Sequence, residues 1–358
     1  MIRQFVAVAL LLLAGAHADF AKAQNTANGQ ALYQGYCATC HGPPFASARD
    51  AGAIRAAING FPDMRFLSFL TDADLSDIAA WVSKELGAPP APPPTANYTG
   101  LWYNFPAESE AGWGVNFTQQ GDIVFGTLFT YDAGGAPLWL VMPAGQRQAG
   151  SDRFTGALYR TRGPAFNANP FRWDPGAPGN LTEVGTMTVA FTAADRATLT
   201  YTFSGATVTK TITKQVYGSR PASCVAFAGS RATAANYQDL WYNAPAESEP
   251  GWGVNVTHQD NTLFATLFTY DAAGRDLWLV MSDGRRQPDG TFSGDLFRTT
   301  GPAFNASPFK GIGVTPVGSM SFRFSDGENG TLTYTYQGVT VTKPITRQVF
   351  STTLFRCE

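Results

Sequence analysis

From residue 98 onward the chain alternates side chains with a period of two. Phe125, Thr127, Phe129 and Tyr131 share one face of an extended segment, and Ala197, Leu199, Tyr201 and Phe203 share another. That alternation, broken by turn residues, predicts strands. Eight are expected, near 99–104, 112–119, 122–131, 137–143, 152–161, 184–192, 196–203 and 206–217. Asp132-Ala133-Gly134-Gly135 reads as a hairpin turn, as does Asp271-Ala272-Ala273-Gly274. Before residue 88 the period becomes helical. Leu75, Ile78, Ala79 and Val82 form an apolar stripe, with Thr71 as N-cap, Asp72 and Asp74 in the first turn, Lys84 in the last and Gly87 as the stop. Asn28–Tyr36 and Ala46–Ile58 are two further expected helices, the second carrying Ile54 and Ile58 at i, i+4.

The strand-rich part is an internal duplication. Tyr98–Gln148 matches Tyr237–Gln287 at a shift of 139 positions, and Val184–Cys224 matches Val317–Cys357 at a shift of 133. Both copies carry Leu-Trp-Tyr-Asn, Pro-Ala-Glu-Ser-Glu, Gly-Trp-Gly-Val-Asn, Thr-Leu-Phe-Thr-Tyr-Asp and Leu-Trp-Leu-Val-Met. Eight antiparallel runs in each copy fit a closed eight-stranded barrel, which leaves no open edge; a β-sandwich is the alternative.

These patterns divide the chain. Residues 1–23 read as a signal peptide, with Arg3 before the apolar run Phe5–Ala14 and Ala21-Lys22-Ala23 as a cleavage site. A small all-α domain follows at 24–88, a Pro-rich linker at 89–97, and two all-β modules at 98–236 and 237–358. The apolar run is too short to span a bilayer and no later segment is longer, so no membrane span is expected once the signal is removed. A net charge of −2 offers no basic face for nucleic acid. A periplasmic or secreted bacterial location is the expectation. In that setting Cys224 and Cys357, at equivalent places after each copy, are expected to form a disulfide rather than remain as two buried thiols.

The chemistry concentrates in Cys37-Ala38-Thr39-Cys40-His41. Cys-x-x-Cys-His is an attachment signature for c-type haem: two thiols reach one porphyrin edge and the adjacent imidazole reaches the iron. Half a zinc site would need two more ligands, and no Cys or His occurs between His41 and Cys224. A redox dithiol would sit in a βαβ pattern, which this segment lacks. Residues 29–86 resemble a class I mono-haem cytochrome c. The resemblance rests on Gly29-x3-Tyr33 before the motif, the motif itself, Ile58-Asn59-Gly60 before a lone Met, and Leu75-Ser76-Asp77-Ile78-x2-Trp81-Val82 as the closing helix. It implies one covalent haem c, with Cys37 and Cys40 as thioethers and iron held by His41 and Met64. Arg65 follows Met64 where the family often carries Pro. Pro43 or Pro44 is expected to offer a carbonyl to the second His41 nitrogen. With both axial positions filled, the resemblance implies electron transfer rather than substrate chemistry.

The β modules show no comparable motif. His258 faces Gln119 in the other copy, so a His-based site common to both copies fails. The paired Glu108 and Glu110, with Glu247 and Glu249, are read as a solvated or amide-capping loop before Gly112-Trp113-Gly114 in preference to a glycosidic acid–base pair. Lys210 and Lys343 are read as outward-facing strand lysines, with an inward ligand anchor as the alternative. Gly100-Leu101-Trp102 is weakly similar to the entry of calycin barrels, which would set Lys214 and Arg347 opposite Trp102 and Trp241; Asp239 replaces the Gly in the second copy. A candidate ligand or partner face comprises Glu108, Trp113, Arg160 and Phe166 with their counterparts Glu247, Trp252, Arg298 and Phe304, because long loops after Arg160 and Arg298 often carry function.

Three functions follow as expectations. The first is an exported electron carrier, with a redox partner protein, whose β modules dock it or bind a glycan or small ligand. The second is a haem oxidoreductase with its substrate site in the β modules. The third is a small-molecule or carbohydrate-binding protein with haem as accessory. A carrier is expected ahead of a catalyst, because the modules lack both a ligand cluster and a nucleotide fingerprint.

Overall fold

The computed structural model describes residues 25–45, 48, 51–86, 96–219, 221–227 and 229–358; the expected signal segment, Gly87 and the Pro run at 89–94 lie outside them. The chain divides into two compact units, residues 1–91 and 92–358.

The first unit is helical. Helix α1 (Thr26–Leu32) continues through a π turn (Tyr33–Cys37) into α2 (Ala38–His41), followed by α3 (Ala51–Gly60), a 3-10 turn (Pro62–Leu67) and α4 (Asp72–Glu85). Asn25 starts α1 by accepting the Ala27 and Asn28 amides. Thr71 and Asp74 form a reciprocal capping box that starts α4. The two helices meet at Gly29, where an added Cβ would lie 1.9 Å from the Asp77 carbonyl oxygen. Only glycine allows that approach. The Asp77 carboxylate then accepts from the Asn25 amide at 2.8 Å and the Asn28 side chain at 2.9 Å, fixing the crossing. Tyr33, Ile58, Leu67, Leu75, Ile78 and Val82 fill the space behind it.

The second unit holds two closed eight-stranded antiparallel barrels, not a sandwich. Strands β1 to β8 are Gly100–Asn104, Gly114–Gln120, Ile123–Tyr131, Pro137–Arg147, Arg153–Thr161, Leu181–Ala193, Arg196–Phe203 and Ala206–Lys214. Short β9 (Cys224–Phe227) precedes β10 to β17, which are Asp239–Asn243, Gly253–Gln259, Thr262–Tyr270, Asp276–Arg286, Phe292–Thr300, Gly313–Phe324, Asn329–Tyr336 and Val339–Arg347, and β18 (Leu354–Cys357) ends the chain. Each barrel closes last strand on first, Trp102 opposite Lys214 and Trp241 opposite Arg347. Inside the first, Tyr98 stacks on Phe191 at 3.7 Å and Trp102 leans on the same ring. An eight-stranded barrel is just wide enough for side chains to fill, and these rings fill it.

Strands β2 and β3, and β4 as far as Met142, are mostly buried on both faces, which a period-two reading does not anticipate. Their outer face packs on the equivalent strands of the other barrel. Trp139 lies against Phe268 and Tyr270, while Trp278 lies against Phe129 and Tyr131. The indole N–H of Trp139 donates to the Thr269 carbonyl, and that of Trp278 to the Thr130 carbonyl. The tails are exchanged as well. Gln120 of the first barrel binds backbone of Gln348, Phe350 and Ser351, and Gln259 of the second binds Gln215, Tyr217 and Gly218. Beyond these clamps β9 pairs with β18 in register at Cys224 and Cys357, which form a disulfide.

Candidate functional site

The Cys37–His41 motif sits where α1 turns into α2. The π turn resets the helix just before it, a distortion common at functional sites. Gly42, at φ +66°, stops the helix directly after His41. Cys37, Cys40, His41 and Met64 all line one cleft of about 620 Å³. Tyr33, Ile54, Leu67 and Ile78 give that cleft apolar walls. Phe61 and Phe66 also line it while remaining 62% and 60% exposed.

The donor set fits haem c. Two thiols three residues apart, one imidazole and one thioether are the groups that attach a porphyrin and ligate low-spin iron. The volume falls within the range of cofactor clefts. Burial pushes the Cys37 thiol above its ordinary pKa, and Cys40 adds to the rise. A redox dithiol needs the opposite shift, because its nucleophile is a thiolate. Cys37 and Cys40 form no disulfide with each other. The Pro43 carbonyl accepts from the Tyr33 hydroxyl at 3.0 Å. Tyr33 in turn packs on Trp81, so the closing helix helps position the loop after the motif.

The β-module candidates are mostly drawn into the contact between the barrels. Phe166 and Phe304, expected on an open face, are buried against the opposite barrel. Phe166 packs on Tyr334 and Tyr336, and Phe304 on Tyr201 and Phe203. Their amides donate to the Tyr270 and Tyr131 carbonyls. The long loops are therefore clasps, and each is long because it must reach across to the sister module. Arg160 likewise crosses to Asp276, at 2.6 Å. Burial raises the Asp276 carboxyl to about 6, with Arg160 opposing the rise. Arg298 lines a separate pocket of about 350 Å³ with Asp271 and Tyr336. Glu108 and Glu247 are exposed, both at φ +64°.

The outward reading of Lys210 and Lys343 is corrected. Lys210 alternates with exposed Thr209 and Thr211 and shares the inward face of Val208 and Ile212. It pairs with Glu110 at 2.5 Å, and Lys343 pairs with Glu249. Glu110 and Glu249 also accept the indole N–H groups of Trp113 and Trp252. Both Trp are buried. Each carboxylate is thus committed to a cation and an indole, which leaves the loop unsuited to acid–base catalysis.

His258 replaces Gln119 in kind. The Gln119 side chain accepts the Tyr98 amide and donates to the Gly121 carbonyl. His258 accepts the Tyr237 amide at Nδ1, and its Nε2 faces the Asp260 carbonyl at 2.9 Å. Burial lowers its pKa to about 4. Lys214 stands 5.5 Å over the Trp102 ring and Arg347 4.9 Å over Trp241. Asp239, in place of Gly100, accepts from Arg347 and Arg231 at 3.0 and 2.7 Å, so the second barrel matches its larger cation with a buried carboxylate. Sequence reasoning passed over Trp173, although its lack of a counterpart in the second copy was visible.

Comparison with known proteins bears on the helical unit. The family model described as cytochrome C oxidase, cbb3-type, subunit III, matches residues 24–82, well under half of the chain. No curated protein matches. Residues 24–82 are thus a cytochrome c-type domain, followed in the same chain by two eight-stranded barrels.

Proposed function

We propose that this protein is an exported electron carrier with one covalent haem c, in which Cys37 and Cys40 anchor the porphyrin and His41 and Met64 ligate the iron. The observation that carries the reading is the convergence of these four side chains on a single apolar cleft. The haem supplies a one-electron couple when bound. Around it the protein's own task is limited. Tyr33, Ile54, Leu67 and Ile78 keep water from the cleft, while Phe61 and Phe66 bring apolar surface to its edge, where a redox partner protein would dock.

Export is supported by the Cys224–Cys357 disulfide, a bond favoured in oxidising compartments, and by the signal-like first residues. A periplasmic or secreted location is the reading this favours. Among the described residues no helix is long and apolar enough to cross a membrane. The β unit is proposed as the docking or ligand-binding part. Its Trp102–Lys214 and Trp241–Arg347 pairs support kinship with calycin barrels. A catalytic role for this unit gains no support from Glu110 and Glu249, which are already paired.

The test is spectroscopic. The purified oxidised protein should show the weak far-red absorbance of methionine-ligated haem, and Met64→Ala should abolish it. The reduced wild-type spectrum should not respond to CO. A wild type that lacks the band, or that binds CO readily, overturns Met64 as ligand. A colourless mature protein overturns the whole reading.

A further inference from the structure

The pseudo-symmetric contact between the barrels can be compared on its two sides residue by residue, because the modules are duplicates. On one side a cleft of about 540 Å³ is lined by Trp139, Trp173, Trp252, Tyr242, Glu247 and Gln348 among others. The counterparts of Trp139, Trp252, Tyr242 and Glu247 on the other side are Trp278, Trp113, Tyr103 and Glu108. Trp173 breaks the match. Its ring lies over Gly251, where a Cβ would come within 2.5 Å of it, whereas Ile312 occupies the equivalent place over Gly112. The cleft therefore has an aromatic wall where the equivalent place on the opposite side holds Ile312.

The polar inventory of that cleft selects its ligand. All three indole N–H groups are committed within the protein. Trp139 donates to the Thr269 carbonyl, Trp173 to the Arg162 carbonyl at 2.7 Å and Trp252 to Glu249. They are left to offer the cleft ring carbon and not donors. The other polar side chains of the lining are Thr127, Thr161, Tyr242, Glu247 and Gln348. The lining contains no Lys, Arg or His. Its one charged group is the exposed carboxylate of Glu247, which forms no ion pair among the described residues. Aromatic faces beside a single carboxylate attract a cation.

We propose that this cleft binds an organic cation, a quaternary or protonated amine carrying an apolar or aromatic body. The proposal rests on the ligand-binding role proposed for the β unit. The apolar body would lie among Trp139, Trp173 and Trp252, and the charge would face Glu247 across the ring of Tyr242.

The test is calorimetric titration of the full haem-loaded chain with benzyltrimethylammonium, with benzyl alcohol as neutral probe and benzenesulfonate as anionic probe. The cation should bind saturably and more tightly than either other probe. Glu247→Gln should weaken it roughly tenfold, and Trp173→Ile, which copies the side chain found over Gly112, by a similar factor. Glu108→Gln, the matched change on the opposite side, should leave the affinity unchanged. Glu247 is exposed, so its variant remains informative even if Trp173→Ile misfolds. Absence of saturable binding, equal binding of the sulfonate, or equal effects of the two Glu variants would each overturn the proposal. The haem spectrum of the same sample reports separately on the electron carrier, so either reading can fail alone.

Discussion

If His258 is a structural stand-in for Gln119, then His258→Gln should relieve an acid sensitivity of the barrels. In the fold, Nδ1 accepts the Tyr237 amide, so a second proton would meet that N–H head on. The site is buried, and the imidazole pKa falls from 6.5 to about 4. A base depressed in this way binds fewer protons folded than unfolded between those values. Its contribution to stability is therefore complete above the unfolded pKa and is lost as pH falls through the folded one. Worked from these two values, the loss is about 2 kcal/mol near pH 5 and negligible near pH 7.5. Glutamine carries no such penalty, and the first barrel already shows its hydrogen bonds in the same setting. Urea unfolding of the full chain, followed by Trp fluorescence, would measure the effect, because every Trp except Trp81 lies in the β unit. Near pH 7.5 wild type and variant should agree within about 1 kcal/mol, and near pH 5 the variant should be more stable by about 2 kcal/mol. Parallel loss of stability in both proteins would refute the reasoning, since His258 would then be taking up its proton without cost.

Two further outcomes are expected beside those for Met64 and the Trp173 cleft. Gly29→Ala should destabilise the helical unit by about 1–3 kcal/mol despite the better helix propensity of Ala, because the new methyl meets the Asp77 carbonyl; thermal melts read at the haem absorbance check this, and an unchanged or raised midpoint would contradict it. Removing the disulfide with Cys224→Ser and Cys357→Ser together should lower the stability of the β unit by up to about 5 kcal/mol, since the bond closes a loop of 133 positions. Calorimetry of the paired variant against wild type would measure that loss, and coincident transitions would show that the Gln120 and Gln259 clamps suffice alone.

Several features were legible because they are local. Cys37, Cys40 and His41 lie within five consecutive residues, so their spacing is itself the signal. Thr71, Asp72 and Asp74 announce the start of α4 by capping chemistry alone. The strands follow from alternation, and the two barrels from its repetition. What the sequence could not show was which face of each strand meets what. Period two distinguishes two faces but does not separate water from a sister module, and so β2, β3 and the first half of β4, mostly buried on both sides, read only as alternating strands. That blindness turned Lys210 and Lys343 outward, and loop length alone placed Phe166 and Phe304 on an open face. The phenyl rings are clasped by residues about 100 or more positions away, and the Lys210 ammonium is held by Glu110 across the barrel mouth. Such pairings depend on which segments the closed sheets bring together, a long-range outcome that no local pattern encodes. The Cys-x-x-Cys-His motif was thus written in the chain itself, whereas the cleft beside the barrel contact came into being only when two nearly identical copies folded against each other.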